Sequence, residues 1–296
     1  MVFAGSWDRS VWSWDLDSKI PGRQFIGHAD FVKAVVCARL AGKYMLISGG
    51  ADKKIIVWDV ETGARVHTLQ DSTVNMLAVQ DLVIDPVRTT EDEVFLVSAS
   101  SDPHIRQWKI RADSWEQLSG DVSQTEQGTV LEHETSVYRL VFDRDSEDVD
   151  LWTASGDGTA KCLSRHRAFA SEDTFNHGDH VRAVALTDRW VITAGRDEDL
   201  KFWERASGKL YCSLQGHYDE VTDLAVLSSL PERVVSVSID GTVRTWPLQT
   251  GDLDILVEEQ KKEAVEEEEE QHDNKPEGLL TADEEAELAA LMDDDD

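Results

Sequence analysis

The 296-residue chain is 41% apolar with ten Trp, ample for a core, and its formal net charge is −30. That charge argues against a nucleic-acid backbone or an anionic membrane as a direct partner, because either demands a basic footprint. No run of 18 apolar residues occurs and Met1 to Ser10 holds neither a basic nor an apolar leader, so the expected location is intracellular, cytoplasmic or nuclear, with no membrane association.

Met1 to Phe25 reads as part of a four-stranded unit. Val2 to Gly5, Val11 to Trp14 and Arg23 to Ile26 serve as its second, third and fourth strands, and nothing supplies the first. Either the true N-terminus lies upstream or closure of the fold is imperfect. Gly27 to Asp59 is a full unit: it opens on Gly-His, alternates apolar and polar residues, turns at Ala51-Asp52-Lys53 and closes on Trp58-Asp59. The same unit returns at Asn176 to Trp203 and Gly216 to Trp246. A period of about 40 to 45 residues with four strands per unit is the signature of a propeller blade. Closing positions at Trp14, Trp58, Trp108, Leu163, Trp203 and Trp246 mark six blades, complete in themselves or the larger part of a seven-bladed ring. Extra length falls at 85–93, 111–128 and 143–150, expected on one common, bottom face, with Trp115 in mid-loop. Cys37, Cys162 and Cys212 are odd in number, far apart and set in strand-like runs, so they read as core residues in a reducing compartment, without disulfides.

The expected domain spans 1–257, with 252–257 as its last outer strand. Residues 258–296 hold 18 acidic and 3 basic side chains, too polar to bury a core, so 258–278 reads as a disordered linker. Within 279–296, Thr281 to Glu284 forms a capping box, and Leu288, Leu291 and Met292 recur at helical spacing, which predicts a short acidic amphipathic helix.

Residues 1–257 resemble the WD-repeat (β-transducin-like) family. The resemblance implies one hydrogen-bonded tetrad per blade, here His28, Ser48, Asp52, Trp58; His177, Thr193, Asp197, Trp203; and His217, Ser236, Asp240, Trp246. The third blade keeps Ser98, Asp102 and Trp108 with Gln70 at the His position. The fourth keeps His133, Thr153 and Asp157 with Leu163 for Trp, and the first keeps only Asp8 and Trp14. Softer blades are expected at those three.

A Ser-His-Asp set invites a hydrolase reading, but a triad is needed once and this set recurs at fixed spacing, with no Gly-x-Ser-x-Gly elbow. Cys162, His166, His177 and His180 superficially have zinc-ligand spacing, although His177 is committed to its tetrad. No nucleotide-binding motif occurs. The expectation is no enzyme, no metal and no cofactor.

The resemblance also points to top-face positions: Phe31, Lys33 and Ala51; Thr73, Asn75 and Ser101; Ser136, Tyr138 and Gly156; His180, Arg182 and Arg196; Glu220, Thr222 and Ile239; and Trp7. Basic Lys33, Arg182 and Arg196 interleaved with Trp7, Phe31 and Tyr138, and joined by His180, have the composition of an interface hot spot. Expected partners are proteins or peptide segments, acidic or phosphorylated ones included, bound to a single propeller within a hetero-complex. Trp115 either contacts a partner on the bottom face or packs back on the third blade. The function expected is a non-catalytic scaffold or adaptor. The alternatives are a ubiquitin-ligase substrate receptor, or a non-catalytic subunit of an RNA-modifying, ribosome-assembly or chromatin complex.

Overall fold

Short runs of β-branched and aromatic residues, punctuated by Asp-, Gly- and Ser-containing turns, fold as six antiparallel sheets. The computed structural model describes residues 1–71, 75–118, 129–228 and 231–273. The first sheet holds β1 (Val2–Gly5), β2 (Ser10–Trp14) and β3 (Pro21–Ile26). The second holds β4 (Val32–Leu40), β5 (Lys43–Gly50), β6 (Ile55–Asp59) and β7 (Arg65–Leu69). The third holds β8 (Val79–Ile84), β9 (Val94–Ser100), β10 (Arg106–Ile110) and β11 (Trp115–Gln117). The fourth holds β12 (Val137–Phe142), β13 (Leu151–Ser155), β14 (Thr159–Ser164) and β15 (Ala170–Asn176). The fifth holds β16 (Val181–Leu186), β17 (Trp190–Gly195), β18 (Leu200–Glu204) and β19 (Leu210–Leu214). The sixth holds β20 (Val221–Leu227), β21 (Arg233–Ser238) and β22 (Val243–Pro247). As the sequence implies, the first sheet starts at a second strand.

Each sheet is a meander, so a chain with the right turns builds it locally. Successive inner strands β4, β8, β12, β16 and β20 then pack side by side. Apolar residues from facing sheets interleave between them: Ile55, Leu69 and Val57 with Val79, Leu82 and Trp108, and farther on Trp152 and Phe175 with Val181 and Trp203. Polar ties join neighbours at one end. His67 meets the Arg111 carbonyl at 2.9 Å, Arg165 grips Asp85 in a fork at 2.9 and 3.0 Å, and Arg205 pairs with Asp143.

Each of these five inner strands carries a register shift at the same place: Val32/Ala34, Val79/Asp81, Val137/Arg139, Val181/Ala183 and Val221/Asp223. A bulge leaves one residue unpaired and re-aims it. The residues so released are Lys33, Gln80, Tyr138, Arg182 and Thr222. In the third sheet this corrects the sequence register. The strand begins at Val79 rather than Val74, so Ala78 and Gln80 take the places expected for Thr73 and Asn75. Thr73 lies outside the described residues. Backbone bonds fix the equivalence, since Ala51, Ser101, Gly156, Arg196 and Ile239 donate to Phe31, Ala78, Ser136, His180 and Glu220 in turn.

Three further expectations change. Residues 252–257 form no strand; α1 runs Thr250–Asp273, in a compact unit that begins at Gly251 rather than 258, and so replaces most of the linker expected to be disordered. Glu, Lys, Gln, Ala and Leu are strong helix formers, and no Gly or Pro interrupts 252–273. The short helix expected within 279–296 lies outside the described residues. Cys162 and Cys212 are buried, but Cys37 is exposed. It shares with Val35 the face of β4 turned to the first sheet, where four-residue β1 opposes a nine-residue strand.

Candidate functional site

The second, fifth and sixth sheets each hold the tetrad that the resemblance implies. His28 Nδ1 meets Asp52 at 2.9 Å and its Nε2 meets Ser48 Oγ at 2.8 Å, while Trp58 Nε1 donates to Ser48 at 2.8 Å. The indole N–H can only donate and the carboxylate can only accept, so with a neutral imidazole the protons run from Trp58 to Ser48, from Ser48 to His28 and from His28 to Asp52. His217 repeats this with Asp240, Ser236 and Trp246 at 2.9, 2.6 and 2.8 Å. In the fifth sheet the ring is reversed, with His177 Nδ1 on Thr193 and Nε2 on Asp197, both at 2.8 Å. His177 follows buried Phe175 by two residues, whereas His28 and His217 follow Phe25 and Leu214 by three, so the imidazole enters from a different direction. Trp203 still donates to Thr193 at 2.8 Å.

These chains hold the turn carboxylates ionised. Burial opposes charge on Asp52, Asp157, Asp197 and Asp240, but hydrogen bonds from His28, His133, His177 and His217, with Thr159, Lys201 and Thr242 adding to the last three, prevail, and all four sit below the usual carboxylate range. In the fourth sheet His133 bonds Asp157 and Thr153, both at 2.7 Å, and fully buried Leu163 fills the indole's place without demanding an acceptor. In the first, Ser10 and then Trp12 bond Asp8 and hold it at about 2.

The third sheet departs most. Trp108 donates to Ser98 at 2.8 Å, as in the tetrads. Leu77 N–H reaches Asp102 at 2.9 Å, the counterpart of Ala29 on Asp52, which puts buried Met76 at the missing His, not Gln70. The polar role passes to Arg106. Its guanidinium, fully buried, bonds Asp71 at 2.6 Å, Ser100 at 2.9 Å and Asp102 at 2.9 Å.

On the face to which the bulges aim, all six sheets contribute to one cavity of about 510 Å³. Trp7, Lys33, Tyr138, Arg182 and Thr222, all expected there, line it together with Gln80, Asp81, Arg139 and Asp223. Arg182 stacks on Tyr138 at 4.1 Å and pairs with Glu220, and Lys33 donates to Gln80 at 3.1 Å. Arg139 spans the channel, 3.3 Å from Asp223 and 3.8 Å from Asp81. Burial lifts Asp81 to about 6, against the pull of Arg139. Burial, and then Arg182, lower the Lys33 ammonium. Trp7, 80% exposed, stacks on Phe31 with ring centroids 5.3 Å apart. Phe31, His180 and Arg196 lie outside the cavity lining, and Arg196 is exposed. Asp81, Arg139 and Asp223 were not singled out from sequence. Their signal is a charge two residues after the first strand valine, where the second and fifth blades have Ala34 and Ala183.

Trp115 is not in mid-loop. It opens β11, opposite Ile110, and its ring lies 5.9 Å from Trp108, so it packs back on the third blade. The outer strand resumes at Val130, bridged to Ile105, and the stretch 119–128 between lies outside the described residues. Cys162 is buried, with its thiol pushed up to about 12 by burial, and both His177 nitrogens are engaged. Among the described residues no group of three or more His, Cys, Asp or Glu is placed to hold a metal. No helix among them is long and apolar enough to cross a membrane.

The model of the WD domain, G-beta repeat family matches residues 20–59 and 208–247. The chain is 30% identical over 295 residues to an uncharacterized WD repeat-containing protein of Schizosaccharomyces pombe, covering 99% of this chain and 72% of that one. It is 26% identical to mitochondrial division protein 1 of Vanderwaltozyma polyspora and 27% to nuclear distribution protein nudF of Aspergillus niger, each over 75% of this chain. It spans 27% and 51% of their respective lengths. Among solved structures, the WD40 beta propeller domain of Doa1 superposes with a TM-score of 0.62 at 21% identity, over 84% of this chain and 75% of that one.

Proposed function

The chain belongs to the WD-repeat family, and from that premise we propose that it is a non-catalytic scaffold subunit that seats a partner polypeptide over the six-sheet cavity. Propellers of this family generally hold other proteins. The observation that carries the reading is the convergence of all six sheets on one cavity rimmed by the exposed Trp7–Phe31 stack. Large aromatics left in water beside Lys33 and Arg182 match the anchors on which binding energy concentrates. The two basic residues beyond the Arg139–Asp81–Asp223 bridge favour an acidic or phosphorylated segment. The Ser, His and Asp sets have no role in this reading beyond tying strands together.

The test is retention of partners by the full chain carrying Trp7→Ala and Phe31→Ala. Truncating two hot-spot aromatics should cost at least about 2 kcal/mol of binding, some thirtyfold in Kd, with the melting temperature unchanged. Undiminished binding would overturn the site.

A further inference from the structure

The residue two before the closing position is basic in the last four sheets: Arg106, Lys161, Lys201 and Arg244. In three of them it reaches back to the residue two past a buried outer apolar side chain of the preceding sheet. Arg106 Nε bonds the Asp71 carboxylate at 2.6 Å, two past Leu69. Lys161 bonds the Glu132 carbonyl, two past Val130, and Lys201 bonds the His177 carbonyl at 2.6 Å, two past Phe175. Arg106 and Lys201 also pair with their own turn carboxylates, Asp102 at 2.9 Å and Asp197 at 2.6 Å.

Half-buried Arg244 has neither tie. Two past buried Leu214 stands Gly216, where a side chain has no room: a Cβ would lie 2.8 Å from the Trp246 ring and 3.1 Å from Arg244 Nη1. The turn carboxylate Asp240 is already saturated, accepting from His217 at 2.9 Å, from Tyr218 N–H at 3.1 Å, and from the Thr242 N–H and hydroxyl, both at 2.7 Å. Arg244 Nε is buried without a hydrogen-bond partner. Among the described residues no hydrogen bond or ion pair engages its guanidinium, which lies 5.8 Å from the centre of the Tyr218 ring. A cation enclosed in this way without a counter-charge costs stability. Those partners in the sister sheets belong to the preceding sheet or to the cation's own turn, and both places are described around Arg244, so the deficit is independent of what flanks β22.

We infer that the notch over Gly216, between the fifth and sixth sheets, is a docking point for an Asp or Glu side chain of a partner polypeptide, with Arg244 as its receptor. Arg106 defines the chemistry, because its Nε holds a carboxylate at the equivalent place, and a carboxylate is the planar acceptor that a guanidinium fork matches. Tyr218, 81% exposed, forms the movable wall of the notch. Its N–H is fixed on Asp240, but an exposed ring changes rotamer within nanoseconds and opens the way to Nε. One cation in a surface notch offers a free small acid too little to offset its lost freedom, so the carboxylate arrives on a chain that is held elsewhere as well. Neither Arg244, Gly216 nor Tyr218 lines the six-sheet cavity, so this inference stands or falls apart from the cavity reading.

The test follows the Arg244 Nε–H magnetic resonance signal of the full chain, identified by its loss in Arg244→Lys, as the peptide acetyl-Ala-Glu-Ala-amide is added. At one concentration well below saturation, the shift should be at least about tenfold larger than with the same peptide carrying Gln for Glu. Tyr218→Glu, at an exposed residue, should fold normally, place a carboxylate of the chain's own beside Arg244, and cut the peptide-induced shift by a similar factor. Equal shifts from the two peptides would overturn the inference. So would an undiminished shift in Tyr218→Glu, or a response to inorganic phosphate with none to the Glu peptide.

Discussion

In the second sheet the buried turn carboxylate, Asp52, ends a neutral relay of indole, hydroxyl and imidazole. In the third the equivalent Asp102 meets a fully buried guanidinium that also binds Asp71. Both arrangements satisfy the turn and tie it to neighbouring strands. Their costs of failure differ. A neutral relay that loses a member leaves unsatisfied dipoles, whereas the Arg106 cluster that loses its cation leaves buried carboxylates without neutralisation. What is constrained at this place in each blade is satisfaction of buried polar groups, not the imidazole itself.

The sharpest way to break the comparison is Arg106→Met, expected to cost about 3–5 kcal/mol, read from the midpoint of denaturant unfolding at unchanged slope. His28→Ala in the second sheet should cost less, about 1–3 kcal/mol, because Ser48 and Asp52 lose a partner while the Asp52 carboxylate keeps its bond from the Ala29 N–H. Trp58→Phe removes one N–H and should cost about 1 kcal/mol. If His28→Ala proved as damaging as Arg106→Met, the distinction between neutral and charged ties would fail.

Acid sharpens it further. Asp52, Asp157, Asp197 and Asp240 all have depressed pKa values, so the stability they contribute is present above the unfolded carboxylate pKa, about 3.9, and is lost as pH falls toward and through their folded values. Asp81, raised to about 6, has the opposite sign, and its contribution is lost as pH rises through that value. Unfolding midpoints measured from pH 7 down to 3 should therefore fall on the acid side, and less steeply in Asp157→Asn. The smallest effect is expected from deleting 258–296, within about 0.5 kcal/mol for the propeller unit, by the same unfolding measurement.

Which parts of this were legible in sequence follows from what anchors a register. Where His stands four residues before the strand valine, as at His28–Val32, His177–Val181 and His217–Val221, the residue aimed at the cavity face is legible in sequence, and the bulge that aims it is not. In the third sheet Met76 replaces the anchor, and without it the sequence offers Val74 where the strand starts at Val79. Arg106 was missed for the same reason, since a charged residue opening a strand reads as solvated until its partner from 35 residues earlier is seen beside it. Cavity residues Asp81, Arg139 and Asp223 gain their character from tertiary packing, which brings β8, β12 and β20, far apart in the chain, to one cavity. The helix at Thr250–Asp273 is hidden in sequence because the high charge of this stretch suggests disorder, whereas the Glu and Lys that carry the charge are also strong helix formers.

One paired measurement bears most directly on the scaffold account: partner retention and thermal unfolding of the full chain with Lys33→Glu, Arg182→Glu and Arg196→Glu combined. Exposed and half-exposed ion pairs contribute about 0–1 kcal/mol each, so the fold should persist while partner binding is lost. Partners retained at wild-type levels by this stable variant would contradict the account.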